Sequence, residues 1–159
     1  MGTRGNVIIK ESKNGPIYIN MYHHMDSYIS GLGSTLADFL LDRVLVNGIT
    51  FTETTRISNG ISDLAAQIVC LLKGSEENAG GVYIGRPRRY ANDPNDYTYI
   101  IYPETITKEA EDWRTKEKFL YQNPTGVILI EVYNWKKRIF IGDSEEYFKF
   151  VQEQIQADA

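Results

Sequence analysis

The stretch from Asn6 to His24 constrains the fold more than any other. Asn6 to Glu11 is an apolar, β-branched run, Lys13-Asn14-Gly15-Pro16 is a turn, and Ile17 to His24 is a second run of the same kind. Asn-Gly tolerates positive φ at little cost, so the two runs read as the strands of an antiparallel hairpin. A hairpin cannot bury its own apolar face, so the rest of the chain must supply further strands and a covering layer.

The covering layer is legible as helical periodicity. After a loop from Ser30 to Gly33, a helix starts near Ser34 or Thr35 and carries Leu36, Phe39, Leu40 and Val44 toward the core. Thr35 and Asp38 have the spacing of a capping box. Asn47-Gly48 closes this unit, and a polar Thr-rich connection spans residues 50–58. A second helix runs from about Ile61 to Lys73, with Ile61, Leu64, Ala65, Ile68, Leu71 and Leu72 as its buried stripe and Gly74 as its stop. Val82–Gly85 and Tyr97–Tyr102 read as strands separated by turn-rich sequence. Residues 103–118 read as charged and irregular, with room for one helical turn. Thr125–Asn134 and Arg138–Gly142 form another hairpin across Trp135, and Asp143 or Ser144 caps a last helix reaching about Gln156. The order ββ-αα-ββ-ββ-α predicts a single α+β domain over residues 1–159, an antiparallel sheet of hairpins with helices packed on it.

Composition excludes several function classes. A net charge of −4 argues against a partner as long and anionic as DNA or RNA. No apolar run approaches the roughly 20 residues that span a bilayer. Cys70 is the single cysteine, so no intramolecular disulfide forms. With no signal-like segment at Met1, this places the protein in the cytoplasm. Cys70 is expected to pack near the buried face of its helix. The chain has 11 tyrosines, and tyrosine suits both strands and interfaces. Their number leads to the expectation of a homo-oligomer.

The densest chemistry lies between residues 21 and 40. Period two on a strand puts Tyr22, His24 and Asp26 on one face and His23 on the other, so the two histidines cannot chelate one metal. No metal and no cofactor are expected. His24 with Asp26 has the makings of a general base and its orienting carboxylate; a histidine hydrogen-bonded at a strand end is the simpler reading. Ser30, Gly31 and Gly33 precede a helix start, where open amides and hydroxyls suit a phosphate; a glycine turn entering a capped helix fits equally. Arg86, Arg88 and Arg89, beside Tyr83 and Tyr90, are the one local basic cluster, suited to phosphate oxygens and stacked bases. A restriction-type nuclease strand would need a lysine two residues after Glu131, where Tyr133 stands. No nucleophile elbow is present.

Further residues carry a resemblance. Met1-Gly2-Thr3-Arg4-Gly5 and the run Tyr22, Asp26-Ser27-Tyr28, Ser30-Gly31 and Gly33, followed by Leu36-Ala37 and Phe39-Leu40, resemble a family of small phage and bacterial proteins. Its members open Gly-Thr-Arg and carry an Asp-Gly-Tyr-Pro-x-Gly-x-Gly segment. Val46-Asn47-Gly48-Ile49, Asn59-Gly60, Leu64-Ala65-Ala66-Gln67, Gly80-Gly81-Val82-Tyr83 and Tyr97-x-Tyr99 extend the match over about the first two-thirds of the chain. Ser27 stands in place of the family's Gly and Ile29 in place of its Pro. The family is similar to viral sponge proteins that sequester cyclic nucleotide signals of antiphage defence (CBASS). The resemblance implies a non-enzymatic phage protein that binds a small phosphorylated ligand, a cyclic dinucleotide such as cyclic GMP-AMP, in the host cytoplasm. Arg4, Tyr22, His24, Asp26 and Tyr28 would line one side, with the glycine segment and the arginines on the phosphates. The rival readings are a nucleotide hydrolase or phosphodiesterase using His24 and Asp26, and a tyrosine-rich protein–protein module.

Overall fold

The computed structural model describes residues 3–46, 56–85 and 96–158; within its strands and last helix, nothing is said of the side chains at 106–108, 121–126 and 158. Strands β1 (Gly5–Lys10) and β2 (Ile17–His23) form the expected antiparallel hairpin, with Gly5 opposite His23 and Ile9 opposite Ile19. β5 (Val82–Gly85) adds antiparallel to the outer edge of β2. β6 (Tyr97–Glu111), β7 (Lys118–Asn134) and β8 (Lys137–Gly142) complete a six-stranded sheet of order β5-β2-β1-β6-β7-β8.

The class is α+β, but the sheet is mixed. β6 runs parallel to β1, from Gly5 opposite Tyr97 to Ile9 opposite Ile101. Val82–Gly85 and Tyr97–Tyr102 therefore do not form a hairpin: β2 and β1 lie between them. The reason is visible in β1 itself. Val7, Ile8 and Ile9 are all buried, and a continuous apolar run suits an interior strand covered on both faces. A short parallel pair, β3 (Val44–Val46) with β4 (Ile57–Asn59), lies outside the sheet. Residues 103–118 are not irregular. β6 continues to Glu111 and β7 resumes at Lys118, because Thr105, Ile106 and Thr107 favour extended backbone. The Asp112 carboxylate accepts the amides of Arg114 and Thr115 at 2.8 and 3.4 Å and so turns the chain.

Three α-helices appear among the described residues: α1 (Ser34–Leu40), α2 (Gly60–Lys73) and α3 (Ser144–Asp158). Their Leu36, Leu40, Leu64, Ile68, Tyr147 and Val151 close one core with Val7, Ile9, Met21, Tyr99, Ile130 and Val132 of the sheet. α3 opens with a reciprocal box, Asp143 accepting the Glu146 amide at 2.9 Å and Glu146 accepting the Asp143 amide at 3.2 Å. α1 has no such cap, since Thr35 donates back to the Gly31 carbonyl at 3.2 Å. In α2 the buried stripe is Leu64, Ala65 and Ile68. Leu71 and Cys70 are exposed, so Cys70 is not the packing residue expected.

Two buried tyrosines tie the sheet to the segment that follows β2. Tyr99 donates to the Ser27 carbonyl at 2.7 Å, and Tyr147 of α3 donates to the Ile29 carbonyl at 2.6 Å. Burial pushes both phenols well above their ordinary range. Gly33 passes directly beneath Tyr147, so a Cβ there would overlap its hydroxyl. Gly33→Ala should therefore destabilise the fold by about 1–3 kcal/mol through overpacking. Tyr147→Phe should cost about 0.5–1.5 kcal/mol by removing the shorter of the two hydrogen bonds to the Ile29 carbonyl, the Ser34 hydroxyl remaining at 3.4 Å. Urea unfolding of the two variants against wild type measures both.

Candidate functional site

The segment from Tyr22 to Gly33 does not continue as a strand. The His24 amide donates to the Gly81 carbonyl at 2.8 Å, the Ser27 amide donates to Thr3 at 3.1 Å, and Asp26 between them takes a left-handed φ of 58°. This turn breaks the period of two. His24 stays beside Tyr22, Nδ1 lying 2.9 Å from the Tyr22 hydroxyl, with the Tyr83 ring 6.0 Å from that of Tyr22. Asp26 swings away and joins His23 in the wall of a broad cleft. The expected sharing of one face by His24 and Asp26 is thus replaced by a His23–Asp26 neighbourhood, because a left-handed residue stands where a strand residue was expected.

His23 is fixed by Ser27. Its Nδ1 lies 2.8 Å from Ser27 Oγ, and Ser27 Oγ donates to the His23 carbonyl at 3.1 Å. With the hydroxyl proton committed to that carbonyl, the pair is satisfied when Nδ1 carries hydrogen and donates. Ser27 is fully buried, and a Cβ on Gly5 would come within 2.6 Å of its Cβ. Burial lowers the His23 pKa from 6.5, while the charge of Asp26 opposes that shift.

Ser30, Gly31 and Gly33 were expected in a loop. Ile29–Gly33 instead forms a π-helical turn that runs straight into α1. Three of its five amides are spent on backbone: Gly31 donates to Tyr28 at 2.9 Å, Leu32 to Asp26 at 3.1 Å, and Gly33 to Tyr28 at 3.5 Å. The Ser34 hydroxyl donates to Ile29 at 3.4 Å. The amides of Gly31 and Gly33 are therefore not open to a ligand. Ser30 and Gly31 of this turn line the cleft.

The opposite wall holds two arginines that do not stand out in the sequence. The cleft, about 1070 Å³, is lined by His23, Asp26, Ser30, Thr35, Asp38, Phe39, Arg43, Arg56 and Phe148, among others. Arg43 lies 3.8 Å over the Phe39 ring, donates through Nε to the Phe39 carbonyl at 3.0 Å, and reaches the Ile57 carbonyl at 3.3 Å through Nη1. Ser58 and Gln67, themselves hydrogen-bonded, stand within 3.5 Å of the same nitrogen. Arg56 donates to the carbonyls of Asp38 and Leu41 at 2.6 and 2.9 Å. Burial and then the neighbouring Arg56 charge lower the proton affinity of Arg43, with Asp63 opposing. Arg43 follows α1 at the spacing of a C-terminal capping residue, the signal in the sequence that marks it. Arg56 is 13 residues further on, and only the β3–β4 pairing brings it alongside.

Of the other expected site residues, Arg4 is exposed and its amide meets the Asp96 carboxylate at 3.1 Å. Tyr28 is exposed beside the π-helical turn. Gly33 is buried under Tyr147. Arg86, Arg88 and Arg89 lie outside the described residues. Among the described residues no group of three or more His, Cys, Asp or Glu side chains is placed to hold a metal ion, and no helix is long and apolar enough to cross a membrane. Compared with family models, characterised proteins and solved structures, the chain matches none.

The lowered His23 pKa has a pH consequence. The unfolded imidazole binds protons more readily than the folded one, so the His23 contribution is complete above 6.5. It is lost as pH falls from that value through the lower folded pKa. The slope of unfolding free energy against pH in this window should be positive in the wild type and shallower in His23→Gln. Denaturant titrations on both sides of the window measure it.

Proposed function

We propose that the chain is a non-enzymatic binder of a small phosphorylated ligand, a cyclic dinucleotide second messenger, which it sequesters and releases unchanged. On this reading it is a phage immune-evasion protein that blocks CBASS signalling in the host cytoplasm, as its resemblance to the sponge-like family implies, and it works as a homo-oligomer. The observation that carries the ligand class is the Arg43–Arg56 pair in the cleft wall. Two guanidinium groups held close together in a partly desolvated place repel each other. A phosphate oxygen set between them relieves that repulsion and accepts charge-assisted hydrogen bonds. Ser30 and Thr35 offer hydroxyls to a ribose or a second phosphate, and Phe39 and Phe148 offer apolar surface to a base. Asp26, which lines the cleft, suits a base edge or a ribose hydroxyl.

Calorimetric titration with a cyclic dinucleotide tests the reading. Hydrogen bonds to charged groups contribute roughly 1.5–3 kcal/mol, so Arg56→Ala should weaken binding by tenfold or more. Asp26→Ala should weaken it less. Chromatography after denaturing the complex should return intact ligand. A hydrolysed product whose formation is lost in His24→Ala would install the hydrolase instead. If Arg88→Ala or Arg89→Ala loses affinity while Arg56→Ala does not, the phosphate site is the other basic cluster.

A further inference from the structure

The cleft is polarised. One wall donates: Arg43 spends Nε and Nη1 on the Phe39 and Ile57 carbonyls and keeps Nη2 for a ligand, with Arg56 in the same wall. The other wall accepts. The Ser27 hydroxyl gives its proton to the His23 carbonyl at 3.1 Å, so its 2.8 Å contact with His23 Nδ1 is made by a ring N–H donating to the Ser27 oxygen. Ser27 is held in place: its side chain is buried, its amide donates to Thr3, and its carbonyl accepts from Tyr99. A neutral imidazole carries one proton, and burial favours the neutral ring. Nε2 of His23, a residue that lines the cleft, is therefore a bare lone pair.

Asp26 supplies a second acceptor. Its left-handed φ of 58° brings it to the same cleft, close enough for its charge to act on the His23 ring. Among the described residues no donor meets Nε2 or this carboxylate. A ligand edge that settles on the pair must bring a donor to each. The nucleobases differ on this point. The Watson–Crick edge of guanine presents the N1 hydrogen and the N2 amino group side by side. Adenine and cytosine each set one amino group beside a bare ring nitrogen, and uracil sets one N–H between two carbonyl oxygens. Against two acceptors, each of these three leaves a lone pair facing a lone pair.

We infer, on the strength of the nucleotide-binding reading above, that His23 and Asp26 form a base-reading pair that selects guanine in the ligand of this cleft. The phosphates lie toward Arg43 and Arg56. Charge thus fixes which way round the ligand enters, and the acceptor pair fixes which base it carries.

Calorimetric titration of the whole chain with cyclic di-GMP and with cyclic di-AMP, which share the same phosphate ring, tests this. Cyclic di-GMP should bind roughly tenfold tighter or more, the discrimination that a good bidentate base contact gives. Asp26→Asn exchanges one carboxylate oxygen for an amino donor, and asparagine is well suited to a positive φ, so the fold should persist. This variant should lose most of the preference for guanine and bind cyclic di-AMP at least as well as the wild type does. His23→Phe keeps a ring, removes Nε2 and should also narrow the preference; if circular dichroism shows it unfolded, Asp26→Asn alone decides. Arg56→Ala should weaken both ligands by the same factor, because it acts on the phosphates they share. Equal affinities in the wild type, or tighter binding of cyclic di-AMP, overturn the inference and leave nucleotide binding standing. So does a guanine preference that survives in Asp26→Asn or in a folded His23→Phe. Binding of neither ligand removes the nucleotide reading itself, and the base-reading pair with it.

Discussion

Two tyrosine hydroxyls hold the functional end of this molecule in place. The segment from His24 to Gly33 is neither strand nor ordinary helix, and its carbonyls lie where water cannot reach all of them. Tyr99, from the central strand β6, takes the Ser27 carbonyl, and Tyr147, from α3, takes that of Ile29. The two donors come from β6, which is not a neighbour of β2 in the sheet, and from α3 at the other end of the chain. The segment is thereby locked to the sheet and to the last helix at once. Buried carbonyls without such partners would each cost free energy comparable to a lost hydrogen bond. The π-helical geometry, the left-handed Asp26 and the close passage of Gly33 under Tyr147 all follow from meeting these two donors.

The cleft depends on that lock. One wall is the clamped segment, to which His23, Asp26, Ser30 and Gly31 contribute. The other is the end of α1, where Arg43 and Arg56 satisfy the last carbonyls of the helix and bring two positive charges to the same place. Basic residues at a helix C-terminus are favourable for the helix itself. Here the same placement also concentrates positive charge beside hydroxyls and aromatic rings, in a chain whose net charge is negative.

Much of this was legible in the sequence, for reasons that particular residues make plain. The first hairpin follows from Asn14-Gly15 between two apolar runs, and α2 from its apolar spacing closed by Gly74, whose φ is 77°. Local rules suffice where an element is decided by its own residues. They fail where the deciding partner is distant. Nothing near Val82 announces that it joins β2 and not β6, and nothing near Asp26 announces a left-handed turn, since Tyr99 and Tyr147 impose that geometry from 73 and 121 positions away. The uninterrupted apolar run Val7-Ile8-Ile9 does carry the signal of a strand covered on both faces, but the direction of its neighbour β6 is set 92 positions away. Arg56 reaches Arg43 only through a three-residue parallel pairing, too short for periodicity to reveal.

The parallel pairing of β1 with β6 also sets a timetable. The β1–β2 hairpin can close as soon as both strands exist, yet the second edge of β1 waits for a strand that begins 92 positions later, the separation of Arg4 and Asp96 at its entrance. At a synthesis rate of about 5–20 residues per second, Val7 to Ile9 spend roughly 5–18 seconds with one backbone edge open. During that interval the nascent chain carries this buried strand half-paired, and α1 and α2, both made before β6, are the elements whose Leu36, Leu64 and Ile68 can cover its inward face. The hazard this protein meets is therefore one of order in time: the strand at the centre of the finished sheet is among the first made and among the last to be enclosed.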